Sequence, residues 1–64
     1  MILLEISEWD GHTSWVDPEQ IEAVRAEDER MTAIRMRSGL IVTTNVPSAE
    51  FLARLRNIAT LLPR

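Results

Sequence analysis

Cysteine is absent from the 64 residues, and so is lysine. Without cysteine no disulfide can staple a chain that, at this length, buries only about 60% of the surface it exposes when unfolded. The single histidine, His12, leaves a structural zinc site short of its usual four ligands. Glycine occurs only at positions 11 and 39, so neither GxGxxG nor a phosphate loop can be written. There is no cysteine nucleophile, and Ser7, Ser14, Ser38 and Ser48 lack the glycine-flanked elbow that exposes a catalytic serine. No apolar run reaches the roughly 18 residues of a membrane span. The opening MILLEISE has an acidic flank where a secretory leader would be cationic, which predicts a cytoplasmic protein (host cytoplasm, if viral). Together these absences argue against an enzyme, a cofactor and a metal. All seven basic residues are arginine, a bias that a GC-rich genome explains most simply and that suggests a bacterial or bacteriophage source.

What is present reads as short strands followed by one helix. In residues 2–7, Ile2, Leu4 and Ile6 recur at the strand period of two. Asp10-Gly11 suits a two-residue type I′ turn, and the partner strand then runs from His12 to Asp17, with Ile6 facing Trp15 and Glu8 facing Thr13. In that register Trp15 joins the core, while Trp9 falls on the other face with Leu3. Asp17 is placed to cap one helical turn over Pro18, Glu19 and Gln20. A third strand over 21–26 needs either a bulge or a turn ending near Ile21, because Ile21 and Val24 are three apart. Glu27, Asp28 and Glu29 make the next loop, without the ligand spacing or central glycine of a calcium loop.

Residues 31–37 alternate again, Thr32, Ile34 and Met36 against Ala33, Arg35 and Arg37. Ser38-Gly39 marks a second tight hairpin. Its two-residue loop pairs Met36 with Ile41 and Ile34 with Thr43, placing Arg35 against Val42 and Arg37 against Leu40. After Pro47 the period changes. Ser48 is a candidate N-cap and Glu50 suits the helix dipole. Phe51, Leu52, Leu55, Ile58, Ala59 and Leu62 form an apolar stripe that Pro63 ends. The expectation is one α+β domain over residues 1–64: a small curled antiparallel sheet of about five strands, in two hairpins, packed by one C-terminal amphipathic helix.

Charge is segregated. Nine of the ten acidic residues lie in the first 29 positions against Arg25 alone, a balance of −8; residues 30–64 hold six arginines and Glu50, a balance of +5, which restores the net −3. Three readings are open. Arg30, Arg35 and Arg37 could pair with acids on neighbouring strands. An acidic surface of one copy could meet the arginine-rich surface of another. Arg35, Arg37, Arg54 and Arg56, on the fourth and fifth strands and the helix with Arg64 beyond, could form a nucleic-acid patch, although the net charge has the wrong sign for one.

The apolar pattern favours association. Leu3, Trp9, Val16, Leu40 and Val42 fall off the face that holds Ile2, Leu4 and Ile6, and one helix cannot cover both faces. Either the sheet curls into a small barrel or it pairs with another chain, a common remedy for a small core. Tryptophan is also enriched at binding hot spots. Trp9, Leu40, Val42, Leu55 and Ile58 are therefore the candidate protein interface of a non-catalytic interaction module. A second copy is the first choice of partner, as a dimer, and a host or structural protein the second. His12, beside Asp10 and Glu8, reads as an exposed residue next to a turn, with single-histidine acid–base chemistry as the alternative.

The order of landmarks resembles that of the FlbD-like flagellar proteins and their prophage relatives. It consists of the apolar strand Ile2–Ile6, the turn glycine Gly11, Asp17-Pro18 with Ile21, then Val24, then Thr32, Ile34 and Met36 before Ser38-Gly39, and a helix after Pro47. This chain differs in having Ser-Gly where Asn-Gly is usual, no lysine, and a longer arginine-bearing helix. The resemblance implies a small bacterial or phage protein and carries no catalytic motif.

Overall fold

The computed structural model describes residues 2–59. It has five antiparallel strands and one helix: β1 (Leu4–Ser7), β2 (Thr13–Val16), a single 3-10 turn (Pro18–Gln20), β3 (Ile21–Ala26), β4 (Thr32–Met36), β5 (Ile41–Thr44) and α1 (Ser48–Ala59). The strands form two sheets, β1-β2 and β3-β4-β5. They meet where Glu8 bridges Thr44, the Trp9 amide donates to the Thr43 carbonyl at 2.9 Å, and the Thr44 hydroxyl donates to the Ser7 carbonyl at 2.7 Å. The spatial order is thus β2-β1-β5-β4-β3, a curled array that does not close. Among the described residues no helix is long and apolar enough to cross a membrane.

Several local expectations match the structure. The Asp17 carboxylate accepts the Glu19 amide at 3.0 Å and starts the 3-10 turn with Pro18 in its first positions. β3 carries its bulge between Ile21 and Ala23. The expected Ser48 cap is corrected: the first helical bond of α1 runs from the Phe51 amide to the Pro47 carbonyl, so Pro47 is the cap and Ser48 sits in the first turn. The predicted Leu62 of the helix stripe, the Pro63 stop and Arg64 lie outside the described residues.

Both hairpin registers differ from the two-residue-loop expectation by one residue. β1 and β2 pair Leu4 with Val16, Glu5 with Trp15, Ile6 with Ser14 and Ser7 with Thr13. β4 and β5 pair Ala33 with Thr43, Ile34 with Val42 and Arg35 with Ile41. The cause is local. A type I′ turn needs positive φ at both central residues, yet among the described residues only Gly11 and Gly39 have it, at 93° and 95°. Asp10 and Ser38 stay at negative φ, so each loop takes in one more residue. Trp9-Asp10-Gly11 and Arg37-Ser38-Gly39 are three-residue loops with glycine in the left-handed position.

The bonds that close them are the same in kind. The Glu8 amide donates to the His12 carbonyl at 2.7 Å and the Met36 amide to the Leu40 carbonyl at 2.8 Å; Gly11 and Gly39 donate back to Glu8 and Met36. A one-residue shift moves a strand's side chains to the opposite face. Val16 and Val42 accordingly enter the core, and Trp15 and Ile41 leave it.

The core comprises Leu4, Ile6, Val16, Ile34, Met36, Val42 and Phe51, with Ile21, Val24, Val46, Leu55 and Ile58 packed around it. Helix α1 delivers Phe51 to this inner face of the sheet. Thr32 and Thr44 are buried there too, and their hydroxyls are satisfied by the Val46 and Ser7 carbonyls. No buried side-chain polar atom lacks a partner among the described residues, as a core this small requires.

Candidate interaction surface

Side chains alternate across a strand, and paired residues share a face. With Leu4, Ile6, Val16, Ile34 and Val42 inside, the outer face carries Leu3, Glu5, Ser7 and Trp9 from β1 and its flanks, and Thr13 and Trp15 from β2. Across the bridge it continues with Ile41 and Thr43, Ala33 and Arg35, and Ala23 and Arg25. Among the described residues no helix lies over this face. Trp9 is 61% exposed, Trp15 60%, Ile41 61% and Leu3 52%. At its β3–β5 end a shallow groove of about 240 Å³ lies over the small side chains of Ala23 and Ala33, walled by Arg25, Arg35, Glu27 and Ile41.

The structure treats the predicted interface residues unequally. Trp9 and Leu40 are exposed, Leu40 at the tip of the second hairpin opposite Met36. Val42 is corrected: at 2% exposure it is a core residue, because the three-residue loop turns it inward. Trp15 is corrected in the opposite sense, from core to outer face. Leu55 and Ile58 are half-buried against the core. Trp15 and Ile41 are missing from the interface predicted from sequence. The adjacent apolar pairs Trp15-Val16 and Ile41-Val42 allow either register, and loop length alone decides which member faces out.

The arginines do not gather into one patch. Arg35 points to the outer face, where its Nε lies 3.2 Å from the Glu22 carboxylate. Arg54 and Arg56 ride on α1, on the other side of the sheet, and Arg54 pairs with Glu50 one helical turn back at 3.4 Å. Arg37 belongs to the hairpin loop, where its amide donates to the Gln20 carbonyl. Arg25 pairs with Glu27 at 2.7 Å, and that hydrogen bond raises the guanidinium pKa. Of these pairs only Arg35–Glu22 joins the acidic and basic segments, so the expected compensation across strands is met once; Arg30 and Arg37 make no ion pair among the described residues.

His12 has a structural partner. Its Nδ1 lies 2.8 Å from the Asp10 carboxylate, which also accepts the His12 amide at 3.1 Å. The side-chain hydrogen bond and the attraction between the charges raise the histidine pKa above 6.5 and lower that of Asp10. The pair is exposed at a hairpin tip. In the acidic loop, the Asp28 carboxylate accepts the amides of Arg30 at 2.7 Å and Met31 at 2.8 Å, holding the turn between β3 and β4. Among the described residues no group of three or more histidine, aspartate or glutamate side chains stands together to hold a metal ion. Comparison of the chain with protein-family models, curated proteins and solved structures found no match.

Proposed function

We propose that this chain is a non-catalytic interaction module that self-associates through the outer face of its sheet, as a dimer. The observation behind this reading is the grouping of Trp9 and Trp15 with Leu3 and Ile41 on a face that no helix of the described residues covers, while α1 is spent on the opposite side. Exposed aromatic and aliphatic groups on one surface mark association sites.

Charge favours a second copy as the occupant. The β1–β2 end of the face carries Glu5 and no arginine; the other end carries Arg25 and Arg35, paired there with Glu27 and Glu22 and still partly exposed to meet a second carboxylate. Face-to-face packing about a two-fold axis along the strands lays the acidic end of each copy over the arginine-bearing end of the other, the self-complementary contact that a closed dimer uses.

Light scattering on a sizing column from low to high micromolar tests this. The outer-face contact by itself should bring the mass at high concentration to about twice the 7.3 kDa chain, and the double variant Trp9→Ser with Ile41→Ser should lose that step in mass. A wild-type protein of one chain throughout contradicts the proposal.

A further inference from the structure

The edge of β3 is the second feature that calls for a partner. In the β3–β4 ladder the Glu27 amide donates to the Met31 carbonyl. Antiparallel pairs alternate between bonded and non-bonded, so the residues of β3 that bond β4 are Arg25 and Ala23. The N–H and C=O groups of Val24 and Ala26 therefore point away from the sheet, along its open edge. The two edges of the array are not alike. β2 is four residues long and is stopped by Asp17-Pro18, whereas β3 runs for six with no proline, and four of them (Glu22, Ala23, Arg25 and Ala26) are exposed. Its only irregularity is the bulge at its start. Open edges of this kind template strand addition unless they are blocked.

We propose that β3 joins β3 of a second copy, antiparallel about a two-fold axis at Val24, making one continuous sheet from two chains. The strand's own sequence supports this occupant. Pairing about Val24 places the Arg25 of each copy opposite the small Ala23 of the other. Glu22 is the extra residue of the bulge and stands on the outer face, as its ion pair with Arg35 requires; in the paired strands it comes beside the partner's Arg25. Opposite charges then meet twice, extending the existing Arg25–Glu27 and Arg35–Glu22 pairs into one alternating network. On the inner face Val24 meets its own copy next to Leu55 and Ile58. These three side chains are half-buried in the single chain, and β3 is the strand that α1 packs against most. The proposal goes beyond self-association over the outer face and uses neither Trp9 nor Ile41; both contacts draw on Arg25, so the Val24 and Ala26 amides, which only the edge joint covers, tell the two apart.

Amide exchange on the wild-type chain at two concentrations is the test. The Val24 and Ala26 amides should slow by about tenfold or more from low to high micromolar, while the Arg25 amide, bonded to β4, is protected at both. Val24→Pro removes an outward N–H and no ladder bond, so the folded variant should lose this joint while keeping the tryptophan burial of the outer-face contact. Arg25→Glu should weaken it as well, by setting like charges against the partner's Glu22. If the Val24 and Ala26 amides exchange at the same rate at both concentrations, the edge joint is wrong, even where the mass still reports a dimer. A folded Val24→Pro chain of unchanged oligomeric mass also overturns it. If Val24→Pro fails to fold, wild-type exchange decides alone.

Discussion

The two hairpins of this molecule close on the same loop and end in different surroundings. Trp9-Asp10-Gly11 and Arg37-Ser38-Gly39 share a left-handed glycine, a short polar side chain before it that accepts an amide two residues on, and the same closing bonds. The second hairpin is flanked: β3 pairs along β4, and the first hairpin touches β5 at Glu8 and Trp9. Along the sheet the first hairpin is joined to β5 through Ser7, Glu8 and Trp9, and it carries both tryptophans on or beside its uncovered face. One loop geometry thus sets which residues face out in both hairpins, and the neighbouring strands decide how much apolar surface stays exposed.

The largest effect should come from separating the inner and outer members of each adjacent apolar pair. Val16→Asp places an unpaired carboxylate in the core and should abolish folding, whereas Trp15→Asp should leave a folded chain; circular dichroism distinguishes them. In the second hairpin Val42→Ala should cost roughly 2 kcal/mol, from the lost apolar burial and the cavity it leaves, and Ile41→Ala about 0.5 kcal/mol or less, as for an exposed residue. Equal losses for Val42 and Ile41 in denaturant titration would break the register on which the comparison rests.

Next come the glycines. A Cβ at Gly11 or Gly39 meets nothing within 4 Å, so the alanine variants isolate the backbone cost of positive φ, about 1–2 kcal/mol at either site. A clear difference between the two would show that the loops are not equivalent. Smaller again is the contrast between Asp10→Ala and Ser38→Ala. The Asp10 bond to the backbone is 3.1 Å and charge-assisted and the Ser38 bond 3.4 Å, so thermal melts should shift more for Asp10.

Much of the fold was legible because its signals are local. The strand periods, the Asp17-Pro18 cap, the bulge between Ile21 and Ala23 and the Phe51-centred helix each follow from a few neighbouring residues. Register was not legible. Asp-Gly and Ser-Gly fit both a two-residue and a three-residue loop, and the hydrophobic pattern that usually settles the choice was blunted by Trp15-Val16 and Ile41-Val42. That one ambiguity, repeated in both hairpins, moved Val42 into the core and hid Trp15 and Ile41 from the candidate surface. The arginine patch failed for another reason: Arg35 and the helix arginines are separated by the sheet, a tertiary fact that charge counting along the chain does not contain.

The weakest expected effect concerns the ion pair in the first loop, which the second loop lacks. Because its pKa is raised in the folded state, His12 contributes stability when protonated, and that contribution is lost as pH rises through the folded-state value above 6.5. The lowered Asp10 pKa works in the other direction, its contribution disappearing as pH falls through the folded carboxylate value. A ring-proton titration of His12 should give a midpoint above 6.5 that moves down in Asp10→Asn. An unchanged midpoint would remove the pair from the account.

The most direct measurement is the pattern of cross-strand Hα–Hα contacts by nuclear Overhauser spectroscopy, since non-bonded antiparallel pairs bring their Cα atoms to about 4.5 Å. The three-residue loops require contacts between Glu5 and Trp15, Ser7 and Thr13, and Arg35 and Ile41. Contacts between Ile6 and Trp15, or between Met36 and Ile41, would return Trp15 and Ile41 to the core and leave the outer face without the apolar surface on which the proposed self-association depends.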